Sequence, residues 1–235
     1  GFTDVQFMAP LKFYRSQPRR FVIKVNLYPV QEGFVAQAVL ESTLTRAGMS
    51  PQTLRHFAAT VHLGAPESVN VPAAKVPSWN ERCFVPREAI YRLFFHGPAF
   101  QVLDAVRVES QRAVGRLSAH LPTFGVSPLV TLPSLLELVL QTAAAWEVAQ
   151  DGVLALPFGA ERITFLTREW QESVWAEVIP ISPVGENRRF DAQVVDGEGR
   201  VIIEVKGYRT ARLPYTAETA LVAPFRACLK REEGR

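Results

Sequence analysis

Apolar and polar residues alternate along residues 20–30, Arg-Phe-Val-Ile-Lys-Val-Asn-Leu-Tyr-Pro-Val, and again along residues 33–44. A period of two puts alternate side chains on opposite faces of a pleated strand. Gln31-Glu32-Gly33 between the two runs supplies a turn, so the pattern predicts a hairpin. Residues 2–15 read as a strand broken at Pro10, and residues 54–63 as a further strand. The first 63 residues are therefore expected to be antiparallel sheet without a helix.

The alternation stops after residue 63. Gly64, Pro66, Pro72 and Pro77 mark residues 64–82 as a long loop or linker and place the main internal boundary there. A strand over 92–95 is expected to lead into a turn at Gly97-Pro98, and residues 100–109 and 113–120 to form a hairpin. The one strong helix signal follows. Pro133 suits a first-turn position, Thr131 could cap it, and the run extends to about Ala149, before Asp151-Gly152. Strands are expected over 162–167, 174–181, 190–195 and 201–213, the last two joined by Asp196-Gly-Glu-Gly199. Residues 215–235 read as a mixed tail with a short helix.

The helix is apolar on most faces, which implies burial on nearly all sides. A long buried helix wrapped by antiparallel sheet is the shape of a hotdog fold. Ser134, Glu137 and Gln141, at i, i+3 and i+7, share one face. A polar stripe on a buried helix needs partners or a cavity, so this one is expected at the mouth of a pocket.

Composition narrows the classes. The chain has 235 residues, 48% of them hydrophobic, enough for a sizeable core. Its 15 Phe, 5 Tyr and 4 Trp suit a β-rich interior. A net charge of +3 gives no reason to expect a nucleic-acid partner. Arg19-Arg20, Arg188-Arg189 and Lys230-Arg231 read as solvated surface, with docking of an acidic carrier as the alternative. Two cysteines, Cys83 and Cys228, make neither a disulfide framework nor a metal pair, which points to a reducing, cytoplasmic setting. No apolar run of about 18 residues is present, so no membrane span is expected. His56 and His62 lack the accompanying ligands of a metal site, and no metal or cofactor is expected. No Gly-x-Ser-x-Gly occurs, and Gly197-Glu-Gly199 is a turn and not a phosphate loop. The chain opens at Gly1 directly in strand-like sequence, which is read as a piece of something longer.

Two segments carry a resemblance. Leu93-Phe-Phe-His-Gly-Pro-Ala-Phe-Gln101 resembles the Tyr-Gly-Pro-x-Phe-Gln element of polyketide-synthase-type dehydratases, in the His-Gly-Pro form associated with polyunsaturated fatty acid synthases. Leu132-Pro-Ser-Leu-Leu-Glu-Leu-Val-Leu-Gln141 is similar to that family's Pro-x-Leu-Leu-Asp-x-x-Leu-Gln helix motif. A softer match, Phe7-Met-Ala-Pro-Leu-Lys-Phe-Tyr-Arg15, resembles the strand after the central helix of the family's first hotdog. The resemblance implies an α+β double hotdog, with the site between the halves. The first half supplies a His from a His-x-x-x-Gly-x-x-x-x-Pro motif, and the second supplies a carboxylic acid. Removing water from a β-hydroxyacyl thioester takes a proton from C2 and gives one to the C3 hydroxyl. A base of near-neutral pKa suits the first step and a protonated carboxyl the second.

The chain departs from that pattern twice. No His-x-x-x-Gly-x-x-x-x-Pro occurs, so the first hotdog is incomplete and its His is expected upstream. Glu137 stands where the family has Asp, and its extra methylene moves the carboxyl by about an ångström. The expected organisation is a partial first hotdog and linker over 1–82, a second hotdog over 83–214 and a tail over 215–235. The expected catalytic residues are Glu137, Gln141 and His96, and the expected substrate-binding residues are Gly97, Pro98, Phe100 and Ser134. Phe100 is expected to be more core than pocket, and Gln101 structural. The implied partners are an acyl carrier protein with its phosphopantetheine-tethered chain and other synthase domains, with a homodimer as a further assembly. Two alternatives stand beside the dehydratase. One is a catalytically inactive hotdog module that binds acyl chains or scaffolds a synthase. The other, a hotdog thioesterase, is disfavoured by the His-Gly-Pro-x-Phe-Gln match.

Overall fold

A computed structural model of the chain describes residues 1–11, 18–45, 48, 50–64, 73–77, 83–119, 121, 131–167, 169–170, 173–181 and 188–233. Most of the 64–82 linker, Thr131's side chain and His120 lie outside the described residues.

Strands form where the first alternations predict them: β1 (Phe2–Phe7), β2 (Phe21–Val30), β3 (Gly33–Leu44) and β4 (Gln52–Leu63). β2 turns into β3 at Gly33, whose φ of 124° suits only glycine. The register sets Ile23, Val25 and Leu27 opposite Leu40, Ala38 and Ala36. Phe57, Ala59 and Val61 of β4 continue the same face. That face is apolar throughout, yet no helix among the described residues packs extensively on it. Ile23 is 69% exposed, and Val25 and Leu27 are more than half exposed.

The second part contains β5 (Val85–Pro86), α1 (Arg87–Leu93), β6 (Leu103–Val108), β7 (Ala113–Leu117) and α2 (Thr131–Asp151). It continues through β8 (Val153–Phe165), β9 (Val174–Pro180), β10 (Arg189–Asp196), β11 (Val201–Thr216) and α3 (Thr219–Glu233). All eleven strands join one sheet, in the order β2-β3-β4-β1-β8-β11-β10-β9-β7-β6-β5. The seam is the antiparallel β1–β8 pair, with Val5 opposite Ala160.

α2 is the axle of this part. Leu135, Leu138, Val139, Ala143, Ala145, Trp146, Val148 and Ala149 are all buried, against β6 to β10 and α3. The fold is α+β, a double hotdog in which antiparallel sheet wraps a central helix around α2. No described helix fills the same place over β1–β4. No helix among the described residues is long and apolar enough to cross a membrane.

Three sequence expectations change. Residues 92–95 are not a strand; they are the end of α1 and the segment after it. Ala89, Ile90 and Leu93 recur at helical spacing, Glu88 sits in the first turn and Arg92 in the last, each complementing the helix dipole. β8 begins at Val153 rather than 162, because Pro157 and Gly159 hide its alternation. The segment expected as a tail holds α3, which packs on α1 and α2 through Val222, Phe225 and Cys228.

Candidate active site

α1 ends at Leu93 and hands the chain to an extended segment that carries His96. Gly97 and a short 3-10 turn at Pro98–Phe100 then reverse it toward β6. This places the imidazole beside the middle of α2, with His96 Nε2 3.1 Å from Glu137 Oε1. The same carboxylate oxygen accepts a hydrogen bond of 2.8 Å from Gln141 Nε2, one turn along the helix. Glu137 Oε2 carries neither contact.

Gln141 is almost fully buried, and its amide is fixed on both ends. Its nitrogen donates to the Phe100 carbonyl at 2.7 Å as well as to Glu137. Its oxygen accepts from the Tyr91 hydroxyl at 2.7 Å. A flipped amide would set an oxygen against two acceptors, so only one orientation satisfies every group. Tyr91 in turn accepts the Leu103 backbone N–H at 2.7 Å, which leaves its own proton for Gln141. Burial pushes the Tyr91 phenol well above its ordinary range, so it stays a donor at neutral pH.

His96 is held from behind. Gln101 Nε2 donates to the His96 carbonyl at 3.1 Å. Arg87 grips Gln101 through its side-chain oxygen at 3.0 Å and its carbonyl at 2.7 Å, and stacks over Tyr91 at 5.2 Å. Gln101 is thus structural, as its sequence position implies. Phe95 stacks on the imidazole at 4.9 Å, and Phe94 and Tyr91 flank it. His96 Nδ1 is buried without a hydrogen-bond partner among the described residues.

The three groups border a small recess of about 40 Å³, completed by Leu140, Leu156 and Tyr208 among others. Burial, reinforced by the carboxylates of Glu147 and Glu137, pushes the Tyr208 phenol up. A larger recess of about 410 Å³ lies elsewhere, under residues 73–77. Of its polar lining residues, Arg112 and Gln193 both bond to Glu177, and Lys75 and Glu204 complete the wall.

His96, Glu137 and Gln141 therefore meet in one place. Gly97 and Pro98 shape the turn beside the recess without lining it. Phe100 contributes its carbonyl, while its ring is 54% exposed and so does not join the core. Ser134 lies one turn earlier on α2, half-buried and off the recess. Tyr91, Tyr208 and Leu156 escaped sequence reasoning. Tyr91 was readable only as part of the mistaken strand's approach, and its partner Gln141 lies 50 residues away.

A second carboxylate sits deeper on α2. Glu147 is buried; one oxygen accepts from Thr210 Oγ1 at 2.9 Å and the other has no partner among the described residues. Burial pushes it up to about 7, against the smaller pull of the Thr210 bond and Arg188.

A sequence model described as the polyketide synthase dehydratase N-terminal domain matches residues 88–220, more than half of the chain. Polyketide synthase PksN of Bacillus subtilis (strain 168) is 24% identical over 203 residues, which make up 81% of this chain and 4% of that protein. The chain therefore spans a small fraction of that relative's length. Among solved structures, the dehydratase domain from the CurF module of curacin polyketide synthase aligns with a TM-score of 0.69 at 16% identity. That alignment covers 90% of this chain and 76% of the other. A trans-AT PKS dehydratase domain from Brevibacillus brevis aligns at 0.63 and 18%, over 90% of this chain and 75% of that one. At such identities the structural likeness speaks for the fold.

Proposed function

Because the chain belongs to the polyketide synthase dehydratase family, we propose that it is the acid-bearing part of a dehydratase domain acting on a β-hydroxyacyl thioester. The observation that carries this reading is the convergence of His96, Gln141 and Glu137 on one recess. Glu137, protonated on Oε2, gives its proton to the C3 hydroxyl as water leaves. Gln141 and His96 hold Oε1 and so aim the other oxygen at the substrate. A base takes the C2 proton, and that electron pair becomes the C2–C3 double bond. The base is a His supplied by a segment outside residues 1–235. The apolar face of β2 and β3, on which no described helix packs extensively, supports this, since a segment bringing a helix would cover that face and could deliver the His together. The acyl chain is tethered to the phosphopantetheine of a carrier protein, with other synthase domains as neighbours.

A second reading, a non-catalytic module that binds acyl chains or scaffolds a synthase, draws on Glu137 in place of the family's Asp and on the lack of a His-x-x-x-Gly-x-x-x-x-Pro motif in residues 1–235. The test is Glu137→Gln in a protein joined to a His-bearing upstream segment. Mass spectrometry would follow water loss from a β-hydroxyacyl thioester. The acid role predicts a loss of at least ~10²-fold with folding intact. Unchanged turnover would overturn it. Glu137→Asp, the family's residue, is expected to retain activity.

A further inference from the structure

Cys83 and Cys228 take no part in the site, yet they meet across 145 residues of chain. Their sulfurs lie 2.8 Å apart. Each thiol also points at the other residue's carbonyl, Cys228 Sγ to Cys83 O at 3.1 Å and Cys83 Sγ to Cys228 O at 3.3 Å. Both are free cysteines. A covalent sulfur–sulfur bond is about 2.05 Å, so bonding needs an approach of less than about 1 Å. Cys83 precedes β5, and Cys228 lies on the inner side of α3, so the pair spans two elements that already pack together.

We propose that Cys83 and Cys228 form a thiol modification site that a hydroperoxide converts to an intramolecular disulfide. The Cys83 sulfur attacks the peroxide, the O–O bond breaks, and Cys83 becomes a sulfenic acid while the departing alkoxide or hydroxide takes up the Cys83 thiol proton and leaves as an alcohol or water. The Cys228 sulfur then attacks the Cys83 sulfur. The S–S bond forms, the S–O bond breaks, and the hydroxyl leaves as water with the Cys228 proton. Two thiols lose two electrons, and the peroxide gains them. The order follows from the surroundings. Cys83 is only half-buried, whereas Cys228 is buried. Burial, with the Cys83 contact, pushes the Cys228 thiol up to about 12, so it rests protonated and answers second.

The bond would fasten α3 behind the site. Phe225, one turn before Cys228, stacks on Phe94 at 6.3 Å, and Phe94 flanks His96.

The test treats the chain with submillimolar hydrogen peroxide, alkylates the remaining thiols and maps peptides without reductant. The expected result is a linked peptide joining residues 83 and 228, reversed by dithiothreitol. Cys228→Ser should stop at a sulfenic acid on Cys83, trapped by dimedone, and Cys83→Ser should leave Cys228 reduced. Full alkylation of both thiols after peroxide, or linkage only between molecules, would overturn the proposal. A sulfenic acid on Cys228 in the Cys83→Ser protein would overturn the assigned order. Should a variant not fold, the wild-type map alone decides.

Discussion

At the scale of residues, the proposed acid chemistry turns on which oxygen of Glu137 is occupied. His96 and Gln141 share Oε1. His96→Phe keeps a flat ring between Phe95 and Tyr91 but removes the bond to Glu137. Turnover in a complete domain is expected to fall by roughly 10²-fold, with little change in melting temperature. A large thermal loss with normal turnover in the folded fraction would assign His96 to the turn alone. Glu147 makes a different prediction. Folded, it keeps its proton until about pH 7, whereas in the unfolded chain it ionises near 4.5. Between those values the folded state binds more protons, so stability falls as pH rises through the window and the full cost applies above it. The difference corresponds to an effect on the order of 3 kcal/mol. Glu147→Gln, which keeps shape and removes the charge, is expected to raise stability above pH 7 and flatten that slope in urea titrations followed from pH 5 to 8. An unchanged slope would refute the assignment. Glu137, Gln141 and His96 were legible because a motif names them. Tyr91 and Glu147 were not, because their roles depend on contacts with Gln141 and Thr210 made by folding.

At the scale of elements, short range made the difference. The β2–β3 and β10–β11 hairpins announced themselves by alternation and by Gly33 and Asp196-Gly-Glu-Gly199. α1 did not, because seven residues give less than two full apolar repeats and a Phe-Phe pair follows them. α2 was readable in length but not in how closely it seats on β7. At Gly115 a Cβ would collide with the Thr142 hydroxyl and lie 2.7 Å from a Leu103 methyl. Gly115→Ala is therefore expected to destabilise the protein by about 1–3 kcal/mol, read as a lower midpoint in chemical denaturation. A neutral result would mean that α2 can lift off the sheet. Because α2 carries Glu137, such a lift would also loosen its contact with His96.

At the scale of the molecule, the two parts share one sheet, and Val5 of β1 and Ala59 of β4 join the core built around α2. Around α2, strands β6 to β10 and α3 pack on most sides, whereas no described helix packs extensively on the face built from Ile23, Val25, Leu27, Leu40 and Ala38. Residues 1–235 alone are expected not to dehydrate a β-hydroxyacyl thioester. Adding an upstream His-bearing segment, in cis or as a separate peptide, should raise the melting temperature and restore turnover together. Turnover by residues 1–235 alone would refute this and direct attention to His96 and His120, since His56 is tied to Ser42 and Ala9, and His62 to Thr3. The bare face also has a consequence for handling. Among the described strands β2 lies at the end of the order, so one row of its peptide groups faces no described strand, beside exposed Ile, Val and Leu. Lys24 and Pro29 are its main interruptions of the kind that deter strand addition. Prepared without a covering segment, the chain should stack through β2 into cross-β aggregates, and substitutions such as Ile23→Lys or Val25→Lys should keep it in solution without touching the carboxylate on α2.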